Sequence, residues 1–181
     1  MDVAVKKWTW EDIKDFPESA GRTEIVDGEL IVSPVASAKH QRVSTLLGAR
    51  IAPFVVGRDL GEFFSCPVHL ILDEHVNYEP DLSFFAKGRL RDLRVAAIHG
   101  APDLILEVIS KSNRQHDTET KFLDYERYGV REYWLVDRYA RWIEVWYLER
   151  GKYRLLGRFG AGERVVTRVL EGLELDPAQV F

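Results

Sequence analysis

The sequence predicts a single α/β domain, loosely α+β, in which a mixed β-sheet is flanked by few helices. Three observations carry this. Short runs rich in β-branched and aromatic residues recur along the chain, separated by Gly- or Asp-bearing turns. Helical signals fall in three segments that are interspersed in mixed order among the strands. The length of 181 residues suits one domain with a sizeable core, and no repeat, low-complexity tract or long linker divides it.

Taken in order, WTWEDIKDF (8–16) reads as a short helix. TEIVDGELIVS (23–33) reads as a hairpin, because Asp27-Gly28 is the pair a two-residue type I′ turn favours. HQRVSTLLGARIAPFVV (40–56) places Val43, Leu46, Leu47, Ile51 and Phe54 at helical spacing. Strands are expected near 62–72 and 80–85, then a basic segment, KGRLRDLR (87–94), then a strand at 103–110. DTETKFLDYERYG (117–129) reads as a helix, with Asp117 or Thr118 to cap its start and Gly129 its end. EYWLVD, RWIEVWYLE, KYRLLGRF and RVVTRVL complete the chain as strands.

Composition bounds the function. Apolar content is 46% and charged content 30%, an ordinary globular balance. Cys66 is the sole cysteine, so no intrachain disulfide forms and a reducing, cytoplasmic setting is expected. The N-terminal stretch lacks the apolar core of a signal peptide, and no run reaches the length of a membrane span, so no membrane partner is expected. A net charge of −4 does not advertise nucleic-acid binding, although a local basic patch can supply it.

The chemistry begins at APDLILEVIS (101–110), where Glu107 interrupts an apolar run, and at NYEPDLSFF (77–85), where Asp81 stands at the mouth of another. Burying an unpaired carboxylate costs roughly several kcal/mol unless a partner or a metal compensates it. Strand alternation puts Asp103, Ile105, Glu107, Ile109 and Lys111 on one face, and Asp81 on a face with Ser83 and Phe85. If the two strands are neighbours, Asp81 and Glu107 converge, and a hard cation between them removes their repulsion. Lys121, near the expected helix start where the macrodipole disfavours a cation, shares a helix face with Tyr125. Two acids, a lysine and a divalent metal are the parts of a phosphodiester hydrolase. Each residue also has a plainer reading: Glu107 paired with a core cation, Asp81 and Asp103 as turn residues after proline, Lys121 solvated.

On these residues the chain resembles the Uma-type family of endonucleases, a branch of the PD-(D/E)XK nuclease superfamily. The resemblance spans nearly the whole sequence, through EIVDGELIVSP, the helix start at His40, EPDLSFF, GAPDLILEVIS, TKFLDYERYGVREYWLVD and GLELDPAQVF. It implies a restriction-endonuclease-like core, a central mixed sheet flanked by helices with extra C-terminal strands, and a site for Mg²⁺, with Mn²⁺ as a substitute. Asp81 matches the motif's aspartate and Glu107 its second acid. Ile109 stands where the motif's lysine would fall. The resemblance implies a migrated lysine on the following helix, Lys121, with Lys111 as a rival. Glu29, His40, Asp103 and Tyr125 are further candidates for the site.

For a nucleic-acid surface, Lys87, Arg89, Arg91 and Arg94 oppose one acid, Asp92, and Lys111 and Arg114 follow the Glu107 strand. Such residues either contact phosphates or form a solvated face. The expected partner is DNA, and a homodimer or higher homo-oligomer would suit cutting both strands. Two other classes stay open: a nuclease-fold protein that binds nucleic acid or a protein partner without cutting, and a metal hydrolase acting on a small phosphate ester.

Overall fold

A computed structural model of the chain describes residues 6–17, 21–90, 93, 96–111 and 114–181. Among the described residues the elements in chain order begin with α1 (Trp10–Ile13), the hairpin β1 (Arg22–Val26) and β2 (Glu29–Ser33), and the long helix α2 (Ala38–Gly57). Strands β3 (Gly61–Phe64), β4 (His69–Asp73), β5 (Val76–Tyr78), β6 (Leu82–Ala86), β7 (Ala97–His99) and β8 (Leu104–Val108) follow. A π-helical turn (His116–Thr120) leads into α3 (Lys121–Arg127), and β9 (Glu132–Asp137), β10 (Trp142–Glu149) and β11 (Lys152–Phe159) finish the sheet work.

The strands form two sheets. One runs β2-β1-β5-β4-β7 and the other β11-β10-β9-β8-β6-β3. Both are mixed, since β4 pairs with β7 and β8 with β9 in parallel while the other ladders are antiparallel. The β8–α3–β9 crossover places α3 against the face of the six-stranded sheet that also meets the smaller sheet. Leu104, Leu106 and Val108 pack on the other face with Val43, Leu47, Ile51 and Val55 of α2. Ile105 and Ile109 pack with Tyr125 of α3 and with Leu70, Val76 and Tyr78 of the smaller sheet. The alternation read from β8 therefore corresponds to two separate cores, one on each side of the sheet.

Local chemistry explains the element ends. Asp27 and Gly28 both take positive φ (49° and 86°), as a type I′ turn requires. Gly129 (φ 83°) ends α3: its N–H donates to Glu126 O at 3.2 Å, and Val130 N–H to Tyr125 O at 2.9 Å. That pairing is a Schellman motif, which satisfies carbonyls left open at a helix end.

Three expectations need correction. Residues 62–72 are two strands in different sheets, separated at Ser65–Val68, where Pro67 cannot donate to a ladder. The segment 164–170 forms no strand. Its amides at Arg168 and Val169 donate instead to the buried Glu132 carboxylate at 2.8 and 3.2 Å, and its apolar side chains cover the α2-side core. The third helix begins upstream of Asp117, with Arg114 and Gln115 already helical, so neither Asp117 nor Thr118 caps it and Lys121 lies in its interior. The dipole penalty inferred for Lys121 does not apply there.

Candidate active site

β6 and β8 are antiparallel neighbours in the register Leu82↔Leu106, and continuing it by one residue sets Asp81 opposite Glu107. Both are buried, at 3% and 1% exposure, so each needs partners. Asp81 Oδ1 accepts from the Arg22 guanidinium at 2.5 Å. Its Oδ2 accepts from the Val108 amide at 2.8 Å and lies 2.9 Å from His40 Nε2. Glu107 Oε1 accepts from Lys121 Nζ at 2.9 Å and from the Tyr125 hydroxyl at 3.0 Å. Its Oε2 has a longer contact, 3.4 Å to the Asp81 amide.

Lys121 is as buried as the acids it meets. Its ammonium also lies 2.8 Å from Glu24 Oε1 and 3.7 Å from Asp117 Oδ1. Glu24, on β1, has His116 Nε2 at 3.0 Å from its second oxygen and accepts from the Glu79 amide at 3.1 Å. The π-helical turn places Asp117 and Lys121 four residues apart beside this network, and π turns recur at functional sites.

The electrostatics follow from these distances. Burial works against the charge on Asp81, but the His40 hydrogen bond and the Arg22 charge hold its carboxyl well below the ordinary range. For Glu107 burial prevails: with Asp81 beside it, its carboxyl sits above the ordinary value despite Lys121. Burial also opposes the charge on Glu24, yet Lys121 and the His116 contact bring it down to about 2. Burial raises Asp117 well above a normal aspartate. Burial disfavours the Lys121 charge, but Glu107, Glu24 and Asp117 together keep it protonated.

Of the sequence-derived candidates, Asp81, Glu107, Lys121, Tyr125 and His40 come together. Glu29 is exposed and flanks the hairpin turn opposite Val26, away from the cluster. Asp103 lies at the other end of β8, held by Arg89 at 2.9 Å and Arg131 at 3.1 Å. Lys111 follows β8 but bonds neither acid; it lines the neighbouring pocket. Lys87 pairs with Asp59, Arg89 with Asp103, and Arg114 with Asp137. Arg91 lies outside the described residues, as does Arg94.

Sequence reasoning missed Arg22, Glu24, His116 and Asp117. Glu24 carries a weaker form of the signal that marked Glu107, a strand acid followed by Ile25 and Val26 but preceded by Arg22 and Thr23, one strand before Glu29. A pocket of about 550 Å³ has Arg22, His40, Gln41, Glu79, Lys111, Arg138 and Tyr139 among its walls, and Arg22 and His40 connect it to Asp81. His40 Nδ1 is buried with no hydrogen-bond partner among the described residues.

The donor chemistry fits a hard cation. Asp81 and Glu107 offer oxygen alone, the set that Mg²⁺ and Mn²⁺ take. Among the described residues no three His, Cys, Asp or Glu side chains converge as a cage. Mg²⁺ ordinarily takes one or two carboxylates and fills its shell with water and phosphate, so a pair of carboxylates is the kind of donor set it uses.

A mixed sheet with opposed acids on adjacent strands and a helix-borne lysine between parallel strands is the restriction-endonuclease-like class. The Uma2 family model, described as "Putative restriction endonuclease", matches residues 10–178, and the chain belongs to that family. Among solved structures it is similar to the crystal structure of "a putative nuclease belonging to DUF820" from Anabaena variabilis ATCC 29413. The TM-score is 0.81 at 20% identity, covering 96% of this chain and 97% of that one, a likeness of fold. No curated protein matches the chain. No helix among the described residues is long and apolar enough to cross a membrane.

Proposed function

We propose that the chain is a Mg²⁺-dependent endonuclease that hydrolyses phosphodiester bonds of DNA, with Mn²⁺ able to substitute. The observation that carries this reading is the buried pair Asp81 and Glu107, directly opposed on neighbouring strands, with Asp81 linked through Arg22 and His40 to a pocket that Lys111 and Arg138 also line. Asp81 and Glu107 would hold the ion. A bound divalent cation lowers the pKa of its water and neutralises charge on phosphate.

The chain's own groups prepare that chemistry. Lys121 and the Tyr125 hydroxyl fix Glu107 from one side, and His40 and the Val108 amide fix Asp81 from the other. Lys121 brings positive charge to the acids, where it orients water or stabilises the developing oxyanion. Arg22 bridges Asp81 and the pocket, so its guanidinium can take a phosphate oxygen there. Cutting both strands of a duplex takes two such sites, so a homodimer is part of the proposal, and sedimentation would give its mass. A reducing, cytoplasmic setting suits the lone thiol of Cys66.

Plasmid nicking by Asp81→Asn tests this, with circular dichroism to report the fold. Loss of nicking with the fold intact is expected, and full nicking would overturn the assignment. A second reading follows from the pairing itself. Both oxygens of Asp81 and both of Glu107 already have donors from the protein, the longest being the Asp81 amide at 3.4 Å from Glu107 Oε2. A site neutralised in this way can belong to a domain that binds nucleic acid without cutting it. Metal-independent DNA binding with no nicking by the wild type, on plasmid or oligonucleotide, would select that reading.

A further inference from the structure

The basic residues that the sequence offers for a nucleic-acid surface are not equivalent. Lys87, Arg89 and Arg114 are each spent on a carboxylate of the protein itself. Lys111 and Arg138 have no carboxylate partner among the described residues, and both line the pocket that Arg22 and His40, the partners of Asp81, also line. What they share is Tyr139. The Lys111 ammonium lies 5.3 Å from its ring centroid and the Arg138 guanidinium 4.3 Å, and Arg138 Nη2 also donates to the Tyr139 hydroxyl. Contacts of this kind hold a cation in place without neutralising it.

The turn that presents them is tied down. Asp137, at the end of β9, accepts from the amides of Tyr139 at 2.8 Å and Ala140 at 2.9 Å. Its other oxygen pairs with Arg114, whose charge is thereby consumed in bracing the turn. Arg138 Nε is buried and has no hydrogen-bond partner among the described residues. A buried guanidinium donor left open beside a pocket calls for an acceptor, and a planar fork of donors matches the oxygens of a phosphate.

We propose that Lys111 and Arg138, positioned by Tyr139, form a phosphate subsite for the nucleic-acid strand next to the scissile bond, a second anchor on the pocket wall that also carries Arg22. The proposal rests on the nuclease reading and names how that site holds its substrate. Lys111 and Arg138 contact the strand directly, and Tyr139 acts through them. Contacts of this type confer sequence-independent affinity and a salt dependence that counts them.

The test measures binding of a labelled duplex by fluorescence anisotropy in metal-free buffer, where nothing is cut, between about 50 and 200 mM salt. Lys111→Ala and Arg138→Ala are each expected to lower the log–log salt slope by about 0.9, with affinity roughly five- to tenfold weaker at about 0.1 M salt. Tyr139→Ala is expected to act in the same direction, and Lys87→Ala to leave the slope unchanged. Slopes unchanged in both cation variants would overturn the subsite. Plasmid nicking in Mg²⁺ by the same wild-type preparation then shows whether the nuclease reading survives that failure. Absence of duplex binding by the wild type would also overturn it. So would variants that lose affinity for a mononucleotide while keeping the duplex slope, because the pocket would then serve a small phosphate ester.

Discussion

Pro80-Asp81-Leu82 and Pro102-Asp103-Leu104 open the two strands of one antiparallel pair from opposite ends. Each aspartate reaches across and accepts a backbone amide of the other strand at 2.8 Å: Asp81 from Val108, Asp103 from Ala86. Up to that point the two ends are related by the local two-fold of the ladder and do the same structural work, closing its last amide. They part in what stands opposite and around them. Across from Asp81 is Glu107, a second buried acid, whose lysine comes from the helix interior. Across from Asp103 in the same register is Phe85, and its charge is met by Arg89 and Arg131, both about half exposed.

The difference teaches where function can be built on a repeated motif. At the Asp103 end an acid and two half-exposed arginines make an ordinary peripheral pairing. At the Asp81 end, Glu24, Asp81, Glu107 and Asp117 crowd around Lys121 and Arg22, and burial pushes Glu107 and Asp117 towards their neutral forms. Acids outnumber lysine and arginine there, and burial answers the excess by disfavouring the charge on two of them; at the other end one acid meets two arginines.

Breaking the Asp81 end at its centre should have the largest effect. Lys121→Ala leaves Glu107 and Glu24 buried without their cation, and about 3–5 kcal/mol of stability should be lost by denaturant unfolding. Glu24→Gln sharpens the same point through pH. The Glu24 carboxyl is held at about 2 against a usual 4.5, so its contribution is present above pH 4.5 and disappears as pH falls towards 2. That contribution is roughly 3 kcal/mol at neutral pH, and the variant's stability should lack this component of acid loss when followed by thermal melts across the window.

Asp103→Ala should cost less, about 1–3 kcal/mol from the unpaired Ala86 amide, and should leave nicking intact. If Asp103→Ala abolished nicking while folded, the two ends would not differ as described. The smallest effect belongs to Lys87→Ala. Its exposed pairing with Asp59 should be worth under about 1 kcal/mol, within the error of most unfolding curves.

Much of this contrast is legible in sequence. Period-two alternation gave the correct face for Glu107, and the i, i+4 spacing put Lys121 and Tyr125 on one carboxylate oxygen. The hairpin turn was equally plain, because Asp27-Gly28 has a backbone requirement of its own. What sequence could not give was the pairing between distant strands. Glu24 and Glu29 both sit in the hairpin, and choosing between them requires knowing that β1 lies beside β5, inside the smaller sheet, with Glu24 turned to Lys121. Arg22 and Arg138 are invisible for the same reason: each is ordinary in its local segment and acquires meaning from a partner on a distant strand or from a shared pocket, whereas Asp117, four residues before Lys121, has a spacing that sequence does show but reads there as a helix cap. The failed strand at 164–170 has an apolar pattern suited to a sheet, but Glu132 offers its amides a better acceptor.

The most direct test of the central claim, that the opposed acids form a metal-dependent nuclease site, is calorimetric titration of Mg²⁺ into the wild type and into Glu107→Gln, with plasmid nicking run on the same samples. A saturable heat is expected in the wild type that vanishes in the variant, with nicking lost alongside it. Equal heats in both proteins, with nicking unchanged or absent from both, would contradict it and leave Glu107 as a buried ion pair of the core.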